Sequence, residues 1–381
     1  MKLIHGIPLN LKQSIIGRVS KSGHHFNWRR NTILVSEKKM NWSLGYSAYL
    51  TNVPVSQSNI RNEFQLIKNK GINELNLEDI SDGDIVILNP DGSVNRVWDI
   101  DAYENVVMIT NTCNCNCIMC PQPSCADSKN MFEMNSTMLS LVNPEYSGSI
   151  GFTGGEPTLK LENLCTLLEL CKRRLKKASI QLLTNGRRYS SFEVVRQVAL
   201  ICHPKLTHCV SINSDVSDIH DKIMGAPGSF KHTIIGLHNL ALFRQRIELR
   251  VVIQNDNYKR LPNLAEFIYH NFPFVSHIAL MGMETTGIAF QNLKKVWIDP
   301  RDCISYLKKA VTFLHQRELD VSIYNLPFCI MPHDLWKYCR DSISAWKKYF
   351  IEECDNCVVR NNCSGLFKTS KMLIPGIHAI K

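Results

Sequence analysis

Long hydrophobic runs are missing from this 381-residue chain: no window approaches 18 uncharged apolar residues, so the pattern of a membrane-spanning helix is not there. The opening segment, MKLIHGIPLNLKQSIIGRVSKSG, has neither a continuous apolar stretch nor a small-residue cleavage site, which argues against a secretory signal and gives a cytoplasmic expectation. Low-complexity tracts and solenoid repeats are missing as well. So is a concentrated basic patch. The 44 basic and 34 acidic residues leave a net charge of +10, but the basic ones are scattered through helical stretches such as CKRRLKK at 171 to 177. A solvated helix end explains such a run better than a phosphate-binding groove does. Nucleic acid is therefore disfavoured as a partner.

What is present is enough to build a core. With 44% hydrophobic residues the chain can bury one large domain plus a smaller one. From Val106 onward, short β-branched or apolar runs alternate with segments of helical period, the signature of βα units and a parallel sheet. Six strands are expected: VVMIT (106 to 110), SIGFT (149 to 153), IQLLT (180 to 184), HCVSIN (208 to 213), ELRVVIQ (248 to 254) and HIALMG (277 to 282). The clearest helix is LENLCTLLELCKRRL, where Leu161, Leu164, Cys165, Leu168, Cys171 and Leu175 form one apolar stripe and both cysteines read as core. Residues 1 to 104 differ. ILVSEKK, SAYLTNV and GDIVILNPDGSVNRVWDI suggest short strands, with NPDG at 89 to 92 as a hairpin turn, and so a small, mainly β N-terminal domain. After Gly282 come a helix at about 300 to 317, a strand VSIYN (321 to 325) and, from Pro327, a cysteine-bearing tail. The expected division is 1–104, 105–326 and 327–381.

Fifteen cysteines make poor disulfide candidates in a reducing compartment, so a local cluster of them points to metal or redox chemistry. TNTCNCNCIMCPQP, residues 110 to 123, is such a cluster. Cys113, Cys117 and Cys120 stand as CxxxCxxC on a loop leaving the C-terminal end of the first βα strand, where sites in parallel α/β architectures sit. Three thiolates can hold three irons of a [4Fe–4S] cluster and leave the fourth open to a small molecule. Structural zinc prefers four closed ligands, often in CxxC pairs, and fits the triple less well. Cys115 and Cys125 have poorer spacing and are expected to be bystanders.

CxxxCxxC after the first strand, joined to Gly154-Gly155-Glu156-Pro157 after the second, resembles the radical S-adenosylmethionine (radical SAM) superfamily over about residues 106 to 287. The resemblance implies an α/β fold with a partial (β/α)6 TIM-like barrel, in agreement with the strand count. It also implies that Cys113, Cys117 and Cys120 bind the cluster and that Gly154, Gly155 and Glu156 meet the amino group of SAM. Glycines allow backbone to come close; a tight turn and nothing more is the plainer reading of GGEP. Ser211 and Asn213 face the same way on the fourth strand and match family positions that contact ribose or carboxylate. Arg250 is a candidate for the SAM carboxylate, or else a surface arginine. Where the family usually has an aromatic residue against adenine, this chain has Met119, whose sulfur can still pack on a purine. His220 and Asp221 are expected to position a loop or helix start.

In the tail, Cys354, Cys357 and Cys363 form CxxCx5C, with Cys329 or Cys339 as a possible fourth ligand. This looks like a shortened SPASM or twitch extension, implying one auxiliary iron–sulfur cluster rather than two, with Cys329 completing it. A structural zinc on the same thiolates stays open. TNTCNCNCIMCPQP, FTGGEPT, LLTNGRR, IALMGMETTG, the segment around SISAWKKYF and CxxCx5CSG together most closely resemble the radical SAM maturases of the His-Xaa-Ser system, HxsC type. That implies an enzyme cleaving SAM to a 5′-deoxyadenosyl radical for post-translational modification of a ribosomally made peptide or small protein. Its expected partners are the peptide, a second radical SAM maturase, and an electron donor such as flavodoxin or ferredoxin. An enzyme acting on RNA or a nucleoside is the alternative, expected to show a contiguous basic groove and salt-sensitive binding. A non-catalytic iron–sulfur or zinc-binding module is another, against which GGEP argues because such a module needs no SAM site.

Overall fold

The computed structural model describes residues 4–9, 11–22, 31–36, 45–51, 63–66, 80–127, 131–344 and 346–381. Parts of two expected strand runs, residues 37–39 of ILVSEKK and 52–53 of SAYLTNV, lie outside them, as does residue 345 of SISAWKKYF. Packing divides the chain into two compact units, Met1–Val106 with Asn130–Ser149 and Leu170–Ala178, and Val107–Lys129 with Ile150–Glu169 and Ser179–Lys381.

In the first unit the described strands close into a barrel. They are β1 (Ile4–Leu9), β2 (Ile15–Ser20), β3 (Thr32–Ser36), β4 (Ala48–Thr51), β5 (Glu63–Leu66), β6 (Ile85–Leu88) and β7 (Ser93–Trp98), in the order β1-β5-β4-β3-β2-β6-β7 with β7 returning to β1. Closure removes the exposed edges that short strands would otherwise present. Val19, Ile33, Leu50, Val86, Leu88 and Val94 pack together inside it. NPDG is the turn of the β6–β7 hairpin, and Gly92 supplies its left-handed residue at φ +90°.

The second architecture is a sheet of eight strands in unbroken chain order. These are β8 (Glu104–Thr110), β9 (Ser149–Gly154), β10 (Ser179–Thr184), β11 (Leu206–Ser211), β12 (Arg246–Val252), β13 (His277–Met281), β14 (Val321–Tyr324) and β15 (Cys339–Arg340). Every ladder from β10 to β15 is parallel. The six expected strands are all present, and the VSIYN strand and a short strand at Cys339 extend them to eight. Boundaries shift by up to two residues: β8 begins two earlier, and β11 and β12 begin and end two earlier, so β11 ends at Ser211 and leaves Asn213 beyond it.

Helices α1 (Met131–Leu141), α2 (Leu161–Arg174), α3 (Phe192–Leu200), α4 (Ser217–Met224), α5 (Ser229–Leu242), α6 (Leu261–Asn271), α7 (Gly287–Gln291), α8 (Leu293–Val296) and α9 (Pro300–His315) separate the strands. In α2 the stripe of Leu164, Leu168 and Cys171 is buried, while Cys165 is only half-buried; Lys172, Arg173 and Arg174 fill the last turn, where the helix dipole favours cations. Along β12, Ile247, Leu249 and Val251 are buried and Glu248, Arg250 and Val252 only partly so. That period of two means one sheet face is covered and the other is not fully packed. A small antiparallel pair, β16 (Lys348–Tyr349) with β17 (Leu366–Phe367), lies in the tail. Among the described residues no helix is long and apolar enough to cross a membrane.

Candidate cofactor and metal sites

The thiol-rich loop leaves the C-terminal end of β8 and is held along its whole length. The Asp127 carboxylate accepts from Thr110 Oγ1 at 2.8 Å and from the Asn111 N–H, and Lys160 stands 3.5 Å from it. Cys113 N–H donates to Ser124 Oγ at 3.1 Å. Further along, Asn116 N–H donates to the Met224 carbonyl at 3.1 Å and Ile118 N–H to that of Ile223 at 3.0 Å. At the far end the Cys120 carbonyl accepts from Ile288 N–H at 2.9 Å and Ala289 N–H at 3.2 Å, at the start of α7. Gly225 and Gly287 make the approach possible: a Cβ on either would stand 2.1 Å from the Asn116 oxygen or 2.3 Å from that of Pro121, and both sit in the left-handed region.

This loop turns its cysteines two ways. Cys113, Cys117 and Cys120 are half-buried, Cys115 is buried and Cys125 is exposed. The Cys115 side chain packs with Met224 and Ala226, and Cys113 and Cys117 lie against that group. A hydrogen bond with Cys115, reinforced by burial, pushes the Cys113 thiol up. Met119 is 9% exposed, turned largely into the protein.

The GGEP turn packs directly on the root of this loop. Gly155 N–H donates to the Thr110 carbonyl and Glu156 N–H to that of Thr112, both at 2.8 Å. A Cβ at Gly154 would stand 2.1 Å from the Thr110 oxygen, and one at Gly155 the same distance from that of Thr112. Close backbone approach between the first and second strand ends therefore requires these glycines. Glu156 is fully buried, and its carboxylate accepts from Thr158 N–H at 3.0 Å, Thr158 Oγ1 at 2.5 Å, Thr184 Oγ1 at 2.8 Å and Asn185 N–H at 2.8 Å. Burial pushes that carboxyl up, against those hydrogen bonds. The carboxylate that the resemblance places against an ammonium faces inward and ties its own turn to the end of β10.

Ser211 is half-buried at the end of β11. Asn213 is fully buried: its Nδ2 lies 3.3 Å from the Met224 sulfur, its N–H donates to His220 Nδ1 at 3.2 Å, and its carbonyl accepts from Asn257 Nδ2 at 3.0 Å. Arg250 is half-buried on β12. Its guanidinium donates to Glu248 at 2.6 Å and to Gln181 Oε1 at 2.8 Å, and Glu248 in turn meets His277 at 3.0 Å, whose other ring nitrogen lies 3.0 Å from Ser322 Oγ. It is thus neither an unpaired anion receptor nor a surface arginine, but one member of a network crossing four strands. Asp221 accepts from Gly228 N–H at 2.6 Å and Phe230 N–H at 2.7 Å, which sets the start of α5. His220, buried beside it, accepts from the Asn213 N–H.

Sequence reasoning passed over Asn185, Arg187 and Gln254. The first two, in the turn after β10, touch the thiol loop. Gln254, two residues past β12, is fully buried with neither amide atom partnered among the described residues. An orphaned buried amide just past the C-terminal end of β12 lies at the end of the sheet where ligands of parallel α/β architectures bind.

In the tail, Cys329, Cys354, Cys357 and Cys363 line one pocket together with Phe350 and His378. Cys339 is not among its walls; it is buried in β15 with its thiol 3.5 Å from the Leu335 carbonyl. Burial pushes the Cys329 thiol up, a hydrogen bond with the His378 backbone opposes this, and the thiols of Cys363 and Cys354 add to the rise. Among the described residues no three Cys, His, Asp or Glu side chains converge on one point as a single ion would require. Four thiols around one pocket suit either a structural zinc or an iron–sulfur cluster.

No family model matches the chain. A curated relative, an uncharacterized protein of Methanocaldococcus jannaschii (MJ0907), is 26% identical over 187 residues, which are 46% of this chain and 60% of that protein. Solved structures similar to this chain include Streptococcus suis SuiB bound to S-adenosylmethionine, at TM-score 0.46 and 19% identity over 58% of this chain and 50% of that one. Also similar are anSMEcpe with bound AdoMet and the Kp18Cys peptide (0.46, 17%, 58% and 63%) and a radical SAM methyltransferase from Sphaerobacter thermophilus (0.41, 12%, 63% and 73%). The chain thus spans 60% of the length of its curated relative and half that of SuiB.

Proposed function

We propose that this chain is a radical SAM enzyme that modifies a ribosomally made peptide or small protein of the His-Xaa-Ser type. In this reading Cys113, Cys117 and Cys120 hold a [4Fe–4S] cluster, and the eight-stranded sheet is a partial (β/α)6 barrel, residues 105–326, prolonged by two strands. The 1–104 segment is a β-rich accessory domain, and 327–381 is a cysteine-rich extension. The carrying observation is the packing of the CxxxCxxC loop on the GGEP turn at the C-terminal rim of the first two strands, with three half-buried thiols on one loop. With SAM on its open iron, the reduced cluster would supply a 5′-deoxyadenosyl radical that takes a hydrogen atom from the substrate.

The chain's own residues then bind, orient and exclude. The carbonyls of the Gly154–Gly155 turn offer the methionyl ammonium of SAM backbone acceptors, while Glu156 keeps that turn rigid from below. Ser211, Met119 and the free amide of Gln254 supply the remaining polar and soft contacts at the rim. Asn213 sets the geometry through Met224, whose sulfur lies 3.8 Å from Cys117 Sγ. In the extension, Cys329, Cys354, Cys357 and Cys363 hold an auxiliary iron–sulfur cluster, walled by Phe350 and closed by the His378 segment. The reading is tested by anaerobic reconstitution with SAM and dithionite. Wild-type protein should release 5′-deoxyadenosine, and changing Cys113, Cys117 and Cys120 together to Ala should abolish it; release by the triple variant would refute the assignment.

A further inference from the structure

Arg187 opens the short turn that follows β10, and Gly186, in the left-handed region at φ +77°, aims it. Its Nη1 donates to the Asn114 carbonyl and lies 3.6 Å from Cys115 Sγ. Asn185, its neighbour, donates from Nδ2 to Asn114 Oδ1 at 2.7 Å, and the same nitrogen lies 3.4 Å from Cys115 Sγ and 4.0 Å from Cys113 Sγ. The third strand end therefore grips the thiol loop between two of its cluster-binding cysteines. Two further features set Arg187 apart. No ion pair joins it to a carboxylate among the described residues, and the carboxylate sharing this turn, Glu156, is taken up by Thr158, Thr184 and Asn185. Its Nε–H, moreover, is buried with no acceptor among the described residues. A half-buried guanidinium with a spare donor and no counter-ion suits an anionic neighbour.

We propose that Arg187 is a positioning residue whose guanidinium fixes the loop through Asn114 and Cys115 and raises the reduction potential of the cluster on Cys113, Cys117 and Cys120. This rests on the radical SAM reading. One electron passes from a low-potential donor, which is oxidised, to the cluster, whose net charge becomes one unit more negative. A fixed cation nearby favours the reduced form, the more so where burial limits screening. Cys115 matters as the thiol through which Arg187 and Asn185 hold the loop, without ligating iron itself.

The test is a redox titration of anaerobically reconstituted full-length protein, followed by the electron paramagnetic resonance of the signal that added SAM perturbs. Arg187→Gln, with iron retained, should make that cluster about tenfold harder to reduce, a fall of about 59 mV for a one-electron couple; Arg187→Lys should stay near wild type. An unchanged potential in Arg187→Gln overturns the proposal, as does an equal fall in both variants. If Arg187→Gln cannot hold its iron while Arg187→Lys does so at the wild-type potential, the positive charge is what counts and the proposal stands. Loss of iron from both overturns it, because the side chain then acts by shape alone. The underlying reading fails separately: the SAM-perturbed signal would survive in the variant with Ala at 113, 117 and 120.

Discussion

Two buried histidines show how single side chains tie this protein's stability to pH. His208 is fully enclosed with Nδ1 2.9 Å from the Tyr189 hydroxyl, and burial brings its titration down to about 4, against a lesser upward pull from Gln245. His220 is brought to about 4 by burial too, with the charge of Asp221 opposing. Both stay neutral in the folded state at pH values where an unfolded chain, with imidazoles near about 6.5, takes up protons. Their contribution is therefore complete above about pH 6.5 and is lost as pH falls toward 4. Between pH 7 and 5.5 the pair should cost roughly 2 kcal/mol, read as a falling urea midpoint. A midpoint flat across that range would show that neither imidazole is held neutral. Glu248 acts with the same sign in a lower range: burial pushes it up, but His277 and Arg250 outweigh this and bring it to about 2, so its contribution too is lost as pH falls, only below about pH 4.3.

At the scale of elements, the turn after β9 carries the most consequence. Glu156 joins it to the end of β10 and to the short turn beginning at Pro157, while Gly154 and Gly155 let it lie on the end of β8. Glu156→Ala would leave the Thr184 hydroxyl and the N–H groups of Thr158 and Asn185 without their acceptor. The expected loss is at least about 3 kcal/mol, since each unsatisfied buried group costs about 1–3 kcal/mol. SAM affinity should fall with it, as the turn loosens, and Glu156→Gln should keep part of both. If Glu156→Ala lost SAM binding at unchanged thermal stability, the carboxylate would be a ligand contact after all. Gly155→Ala should strip iron as well as SAM, because its Cβ would collide with the Thr112 carbonyl one residue before Cys113.

For the molecule as a whole the two thiol sites predict a composition. Anaerobically prepared protein should carry about eight irons per chain, roughly four for each [4Fe–4S] cluster. Replacing Cys113, Cys117 and Cys120 should leave about half, and so should replacing Cys354 and Cys357. A preparation with about four irons and one firmly held zinc, the zinc lost with Cys354, would make the tail a structural clip. Cys339→Ser should leave the metal content unchanged, because its thiol stands outside the cavity.

How much of this was readable beforehand divides along a physical line. Alternation of apolar runs with helical periods was enough for the six strands of the parallel sheet, because periodicity is a local property of the chain. The spacing of Cys113, Cys117 and Cys120, and their neighbourhood to GGEP, were likewise visible as residues in order. Direction and partnership were not. Glu156 and Arg250 read as ligands for a charged cofactor, and their protein partners, Thr184 and Asn185 in one case and Glu248 and Gln181 in the other, are brought alongside only by folding. Likewise LLTNGRR stood out only as part of a resemblance and assigned Asn185 and Arg187 no role, since what distinguishes them is the Asn114 and Cys115 groups supplied by a different strand end. Residue type and spacing by themselves determine which chemistry this chain can carry, because thiols and glycines have the same properties wherever they stand; which polar groups are left free to carry it was decided by tertiary structure alone, because a hydrogen bond uses up a donor or acceptor only when its partner arrives from elsewhere in the chain.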